Sequence, residues 1–143
     1  MPLLFSFQAS FAASECDYVW NFDSNGYLCI SKSPGAQFSL TPVNSANYGP
    51  NTYAIQSLAN QKYLVAQKEG TVSASADSTD NATLFVAEPL DESGATFLWQ
   101  VASTEHYLHV HTDKANLILA DGKVTNDPDC QFTIVGSADW TIV

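Results

Sequence analysis

One pattern of aromatic and apolar residues recurs three times along this 143-residue chain. Four sets of positions recur, each with one member in every repeat: Tyr18, Tyr63 and Tyr107; Leu28, Val72 and Leu117; Phe38, Phe85 and Phe132; Tyr53, Phe97 and Trp140. Within each set, successive members are 43 to 47 residues apart. A fixed period of this size indicates a chain built from repeated supersecondary units, each of which needs its neighbours to bury its apolar face.

Each repeat contains four short segments rich in β-branched and aromatic residues, which is typical of strands. Turn sequences such as Ser24-Asn25-Gly26 and Asp121-Gly122 separate these segments. No segment shows a sustained apolar period of 3.6 residues, so we expect very little helix. Four strands in each of three units make twelve, which predicts an all-β β-trefoil with a six-stranded barrel and a cap of three hairpins.

The repeats predict a single domain over residues 1–143, with units at approximately 17–57, 62–101 and 106–143. Residues 1–13 alternate between polar and apolar side chains, so we predict an additional N-terminal strand there, lying beside residues 139–143. The recurring tyrosines and phenylalanines are expected to fill equivalent layers of the core.

The charge of the chain limits its partners. Fifteen acidic residues are set against five lysines and no arginine, and the formal net charge is −10. A nucleic-acid binder needs clustered Lys and Arg, and so does a protein that binds an anionic membrane surface, so we expect neither partner. The expected partner is neutral or basic. With no convincing signal peptide, we expect a cytoplasmic protein, most simply a monomer, with secretion left open.

The sequence contains no fingerprint of a catalytic site, such as GxSxG, HExxH or a glycine-rich phosphate loop. The three cysteines, Cys16, Cys29 and Cys130, lack the spacing of a zinc site. We expect them to be interior thiols, with a Cys16–Cys29 disulfide as the alternative. The chain is therefore predicted to be a non-enzyme without a cofactor.

A metal site is not predicted either. His109 and His111 would point to one face of a strand, and Asp113 would continue that face. Two histidines on a strand are, however, more often part of an ordinary polar face than ligands of a metal ion.

Three segments, GTVSASADSTDNATLFVAEPLDESG, HYLHVHTDKANLILADGKV and DPDCQFTIV, resemble the repeats of fascin-type trefoils. In that family a KYL segment precedes a G-V-x-A-x-A strand, an apolar closing strand and a DC-x-F-x-I-V run. The resemblance covers residues 52–143 and implies the trefoil fold. Fascin domains bundle actin through basic patches, and five scattered lysines do not supply one, so a fascin-like actin-binding role is the least favoured function.

As a short acidic single-domain trefoil, the chain also resembles the mycocypin and cocaprin protease inhibitors of mushroom fruiting bodies. In mycocypins, loops of the first repeat occlude the protease cleft. The matching loops here are residues 23–26 and 44–51, and their site residues are Asp23, Ser24, Asn25, Gly26, Asn47, Tyr48, Gly49 and Pro50. Tyr48 would be the aromatic anchor, Gly49 would permit close backbone approach and Pro50 would stiffen the loop. Reversible inhibition of cysteine or aspartic proteases is therefore the first predicted function.

A carbohydrate-binding lectin is the alternative, since ricin-B-like lectins are also short trefoils. Trp20, Trp99 or Tyr48 would then be the aromatic platform. The sequence lacks a Gln-x-Trp motif, and the loops from the phenylalanine to the closing-strand anchor span 15, 12 and 8 residues. This asymmetry argues against three equivalent sugar sites and leaves a single site open. The partner is thus either a protease or a glycan.

Overall fold

The computed structural model describes residues 9–13, 18–32, 36–43, 47–49, 51–90, 96–123 and 128–136. The strands in these ranges are β1 (Ala9–Ala13), β2 (Tyr18–Phe22), β3 (Leu28–Lys32), β4 (Phe38–Pro42), β5 (Thr52–Ser57), β6 (Tyr63–Ala66), β7 (Val72–Ala76), β8 (Phe85–Pro89), β9 (Thr96–Val101), β10 (Tyr107–His111), β11 (Leu117–Gly122) and β12 (Gln131–Gly136). A 3₁₀ turn, Pro128–Cys130, precedes β12. No helix in the described part of the chain is long and apolar enough to cross a membrane.

Six strands form the barrel. Antiparallel pairing runs from β1 to β12, β9, β8, β5 and β4, and β4 returns to β1 through the pair Ala9 and Phe38. The other six strands form three hairpins, β2 with β3, β6 with β7, and β10 with β11. This is the predicted trefoil, and the prediction of fold is confirmed.

Backbone bridges join the three hairpins to one another and so build the cap. Tyr27 pairs with Ser73, and Thr71 pairs with Leu119. The third junction is made by β11 and β3, where Leu117 pairs with Cys29. The turn ends of the hairpins therefore meet one another, and the hairpin turns are positioned by the threefold arrangement.

β1 is one of the six barrel strands. It pairs with β12 over five positions, and Phe132 lies opposite Ala13. Phe38 lies opposite Ser57 and Phe85 opposite Val101 in the same way. β1 is thus the equivalent of β5 and β9, and the structural unit begins one strand before the sequence repeat. The predicted strand at residues 139–143 lies outside the described residues.

The recurring phenylalanines lie in the core, as predicted. Phe38, Phe85 and Phe132 are fully buried. Trp20, also fully buried, packs edge-on against Phe38 and Phe132 with ring centroids 5.6 and 5.1 Å away. Each buried phenylalanine contributes roughly 2 kcal/mol, and the edge-to-face contacts add to this. Trp20 thereby attaches the first hairpin to the barrel.

The recurring tyrosines do not fill the core, and that prediction is wrong. Tyr18, Tyr63 and Tyr107 are only half-buried. The fully buried positions on these three strands are Trp20, Leu64 and Leu108. Tyrosines at such a boundary bury the ring and keep the hydroxyl near water, which explains why a recurring aromatic residue need not mark the core.

A β-bulge interrupts the third hairpin, as another does the second hairpin between Tyr63 and Leu64. His109 pairs with Leu119 but Tyr107 pairs with Gly122, so β11 carries one extra residue between these two pairs. Gly122 is tightly enclosed, because a Cβ there would lie 2.8 Å from Cys130 Sγ and 2.9 Å from the Tyr107 carbonyl oxygen. The backbone can pass through this place only without a side chain, so Gly122 fixes the position of the bulge.

We predict that Gly122→Ala destabilises the fold by about 2 kcal/mol or more, because the added methyl must displace backbone as well as a thiol. Gly26→Ala is the matched control: a Cβ there has no atom within 4 Å, but φ is +85°, which costs about 1 kcal/mol. Urea denaturation of both variants measures the difference. If both variants lost the same free energy of unfolding, close packing around Gly122 would not be the reason for a glycine there.

Candidate functional site

The turn between β2 and β3, residues 23–26, is the first of the two predicted binding loops, and Ser24, Asn25 and Gly26 are exposed. Asp23 Oδ1 accepts hydrogen bonds from the backbone N–H groups of Asn25 and Tyr27, both at 2.9 Å. The Gly26 N–H donates to the Asp23 carbonyl oxygen at 3.0 Å. These bonds hold the backbone of the turn and leave the side chains of Ser24 and Asn25 in solvent.

The turn between β6 and β7 has the same backbone arrangement. The Gly70 N–H donates to the Gln67 carbonyl at 2.9 Å, and the Gln67 N–H donates to the Thr71 carbonyl at 2.7 Å. Gly70 has φ +108°, and Gly26 in the first turn has φ +85°. The shape of the 23–26 turn therefore follows from the repeat of the fold, and only its side chains are specific to the first hairpin.

The second predicted loop is described at residues 47–49, while residues 44–46 and Pro50 lie outside the described residues. Asn47 is exposed, and Tyr48 is 41% exposed. Tyr48 and Leu90 are the two exposed large hydrophobic side chains of the described part of the chain. Gly49 has φ +80°, a conformation that side-chain-bearing residues rarely adopt.

Hydrogen bonds fix the backbone that follows Tyr48. The buried Thr52 hydroxyl donates to the Gly49 carbonyl at 3.0 Å. Asn51 has φ +64°, and its carbonyl accepts the N–H of Ala87 in β8 at 2.9 Å. Gly49 and Asn51 are thus each bonded to a barrel strand, which limits the movement of the backbone next to Tyr48.

Tyr48 lines a surface cavity of about 290 Å³, which we call the Tyr48 cleft. Its lining residues are Tyr48, Ala82, Thr83, Leu84, Ala102 and Ser103. The Thr83 hydroxyl accepts the Ala66 N–H at 2.8 Å, so its own proton can still be donated. The Ala102 N–H donates to the Leu84 carbonyl at 2.9 Å, and this bond joins two of the segments that line the cleft. The cleft combines the Tyr48 phenol, three apolar side chains and the aliphatic hydroxyl groups of Thr83 and Ser103.

A second cavity of about 270 Å³ adjoins the Tyr48 cleft, because Thr83 and Ser103 line both. Its other lining residues are Ala66, Gln67, Lys68, Gly70, Val101, Thr104, His106 and Ala120. The two cavities together follow the boundary between the second and third repeats. Sequence reasoning found Tyr48 but missed Thr83 and Ser103, since only the pairing of β8 with β9 brings their segments together.

The structure places the two predicted loops on separate elements. Residues 23–26 close a cap hairpin whose next residue, Tyr27, bridges to Ser73 of β7. In the 47–49 segment, Gly49 is bonded to Thr52 of β5 instead, and Asn51, which follows the segment, is bonded to Ala87 of β8. Of the predicted site residues that the structure describes, only Tyr48 is among the lining residues of the two cavities.

Two of the three predicted aromatic platforms are unavailable to a ligand. Trp20 and Trp99 are fully buried. Trp99 packs against Tyr53 and Phe97 at centroid distances of 6.2 and 5.9 Å. Both tryptophans are core residues, and Tyr48 is the platform that remains.

Cys29 and Cys130 are buried and neither is in a disulfide, so Cys29 does not form the alternative bridge with Cys16. Cys16 itself lies outside the described residues. Burial raises the pKa of the Cys29 thiol, and the negative charge of Asp23 raises it further. A raised pKa keeps the thiol protonated at neutral pH, whereas a nucleophilic cysteine needs a lowered one.

The two strand histidines lie beside a carboxylate, but it is not the expected one. His111 Nε2 is 2.8 Å from Asp121 Oδ1, and His109 Nδ1 is 3.5 Å from the same oxygen. Asp113 lies on the other side of His111, with its Oδ1 3.9 Å from Nδ1. These three residues, His109, His111 and Asp121, could hold a metal ion.

No protein-family model matches the chain, and no curated protein matches it. Solved structures do match. One is a Polyporus squamosus lectin bound to the human-type influenza-binding epitope Neu5Aca2-6Galb1-4GlcNAc, with a TM-score of 0.69 and 14% identity. The match covers 89% of this chain and 48% of that chain, so this chain spans about half the length of that lectin.

Two further structures match over nearly their whole length. The BEL beta-trefoil has a TM-score of 0.67 and 19% identity, over 90% of this chain and 92% of that one. The designed three-fold symmetric protein ThreeFoil has a TM-score of 0.68 and 12% identity, over 91% and 99%. At these identities the likeness shows the fold alone: the chain is a β-trefoil.

We predict that Thr52→Val loosens the segment that carries Tyr48. The substitution keeps the volume of the buried side chain but removes the donor to the Gly49 carbonyl, which should cost about 1 kcal/mol. Hydrogen exchange should become faster at the amides of Tyr48 and Gly49. Thr112→Val, in the turn between β10 and β11, is the exposed control and should leave the free energy of unfolding and the exchange rates unchanged. Unchanged exchange in Thr52→Val would show that the hydrogen bond does not hold the segment.

Proposed function

We propose that this trefoil is a non-catalytic binding protein that recognises carbohydrate in the Tyr48 cleft. The observation that carries the proposal is an exposed aromatic ring beside two hydroxyl groups in a cavity formed by fixed backbone. Ligand sites of this kind bind through apolar and aromatic walls, while a few polar groups set orientation. A sugar ring offers the matching surface, with apolar C–H faces and hydroxyl groups at its edge.

The backbone around the cleft is held by hydrogen bonds, so few groups of the protein have to become ordered when a ligand binds. The Thr52 to Gly49 hydrogen bond fixes the backbone beside Tyr48, and the Thr83 N–H donates to the Leu64 carbonyl at 3.1 Å on the opposite wall. Tyrosine itself loses little conformational entropy, since it has few rotatable bonds. Preorganisation of this kind raises affinity without enlarging the contact.

The lining chemistry favours a neutral sugar in the cleft itself. None of the six described lining residues is charged, and the chain as a whole has a formal net charge of −10. An anionic sugar would therefore gain no ion pair there and would meet long-range repulsion. The adjoining cavity contains Lys68 and His106, so an acidic or additional sugar unit would be accommodated on that side.

The solved lectin with this fold supports the proposal only as a precedent. Its structure contains a bound glycan, and its trefoil superposes on this chain with a TM-score of 0.69. Trefoils hold unrelated sites on one scaffold, so function must be argued from the local residues. Here those residues are Tyr48, Thr83 and Ser103.

We predict that Tyr48→Ala weakens glycan binding at least about tenfold, or about 1.4 kcal/mol. Tyr48→Phe keeps the ring and should retain most of the affinity. Leu90→Ala is the matched control, because Leu90 is 40% exposed and is not among the lining residues. A glycan array followed by calorimetry on the best ligand tests the three variants. Equal binding by Tyr48→Ala and wild type would rule out the cleft.

Inhibition of cysteine or aspartic proteases is a second candidate, and one observation favours it. The 23–26 turn presents Ser24 and Asn25 to solvent on a backbone fixed by Asp23. A rigid exposed turn can enter an active-site cleft with little loss of entropy, and cleavage is disfavoured when the loop cannot relax.

A titration of papain and pepsin with the purified protein tests this candidate. If the turn inhibits, the double variant Ser24→Ala, Asn25→Ala should raise the inhibition constant at least about tenfold. The control is the double variant Lys68→Ala, Glu69→Ala in the turn between β6 and β7, which should leave the inhibition constant unchanged. Undiminished activity of both proteases at high protein concentration would eliminate the candidate.

A further inference from the structure

A cluster of metal-ligating side chains lies on the third hairpin. His109 and His111 are alternate residues of β10, and their rings stack edge-on with centroids 4.5 Å apart. Asp121 of β11 reaches both rings, with its Oδ1 2.8 Å from His111 Nε2 and 3.5 Å from His109 Nδ1. The cluster therefore has two imidazole nitrogens directed at one carboxylate oxygen.

The β-bulge brings Asp121 to this position. Register on β11 changes between the pairs His109 with Leu119 and Tyr107 with Gly122, and Asp121 lies in the extra stretch. A bulge of this kind changes the direction of a side chain relative to a regular ladder. Strand alternation alone places Asp113, and not Asp121, on the face of the two histidines.

The distances are close to those of a coordination sphere. In a tetrahedral zinc site with bonds of about 2.0–2.2 Å, ligand atoms lie about 3.3 Å apart. One ligand atom from each of His109, His111 and Asp121 lies within 4.8 Å of the other two. The three atoms are therefore within the range that changes in side-chain torsion angles can bring onto one ion.

A second carboxylate is placed to orient one ligand. Asp113 Oδ1 is 3.9 Å from His111 Nδ1, on the opposite side of the ring from Asp121. A metal-bound histidine commonly directs its other nitrogen to a carboxylate, which fixes the ring and raises its basicity. Asp113 is 79% exposed at its side chain and would be a positioning residue, with no bond to the metal.

We propose that His109, His111 and Asp121 form a site for a divalent transition-metal ion, with zinc as the reference ion. Two nitrogens and one carboxylate oxygen favour zinc, nickel or copper over magnesium and calcium, which prefer oxygen ligands. The histidine side chains are 22% and 17% exposed, so the ion would keep contact with solvent at its remaining positions. The net charge of −10 also favours a cation.

This site is separate from the Tyr48 cleft. His109, His111 and Asp121 are not among the residues that line either cavity, whereas His106 lines the second one. Metal binding is therefore a property additional to the proposed function, and it can be measured without a glycan or a protease.

Calorimetric titration of the metal-free protein with Zn²⁺ tests the proposal, and Co²⁺ absorption reports nitrogen ligation independently. Wild type should bind one equivalent. His111→Gln and Asp121→Asn should each weaken binding about 100-fold or more, and Asp113→Asn about 10-fold, as expected for an orienting residue. His106→Gln is the matched control and should bind like wild type.

Circular dichroism of each variant separates loss of the site from loss of the fold, and Asp121→Asn is nearly isosteric. Failure of folded wild type to bind one equivalent would overturn the proposal. Full binding by a variant with both His109 and His111 replaced by Gln would also overturn it, because the ion would then be held by surface carboxylates.

Discussion

Antiparallel pairing between the first and last described strands is the constraint on which the rest of the structure depends. β1 and β12 are more than a hundred residues apart, yet they pair at five positions and complete the six-stranded ring. Without this pairing, β1 and β12 would each expose an unpaired edge. Closure of so long a loop is entropically costly and slow, so the buried phenylalanine set and Trp20 must stabilise the closed ring once it forms. The hairpin cap and every surface loop take their positions from this ring.

The proposed binding features are departures from threefold symmetry on that ring. The 23–26 and 67–70 turns have the same backbone arrangement. Tyr48, in contrast, belongs to the first repeat alone, where Gly49 and Asn51 have positive φ angles and precede Thr52. The second and third hairpins both carry a bulge, and in the third the bulge aligns Asp121 with the histidines. Recurring buried positions thus supply stability, and side chains that belong to one repeat supply the proposed binding groups. This division is expected where a scaffold hosts functions unrelated to its fold.

Sequence reasoning predicted the fold well because burial of Phe38, Phe85 and Phe132 recurs with the chain period and requires no knowledge of loops. It failed where a shift of one residue along a strand decides which side chain is buried. Tyr63 and Tyr107 pair with Gln56 and Gln100 at the edge of the barrel, so they are half-buried although they recur. Leu117 recurs with the buried Leu28 and Val72 but is only half-buried, and its neighbour Ile118 is fully buried. A bulge or a left-handed residue leaves no periodic signal, and the wall opposite Tyr48 depends on strand pairing across repeats.

The measurement that most directly tests carbohydrate recognition at the Tyr48 cleft is a ¹H–¹⁵N correlation spectrum of the labelled protein titrated with neutral oligosaccharides. The account predicts saturable shifts at the amides of Tyr48, Thr83, Leu84 and Ser103, with little change in the 23–26 turn. Shifts confined to the 23–26 turn, or no saturable shift with any sugar, would contradict it.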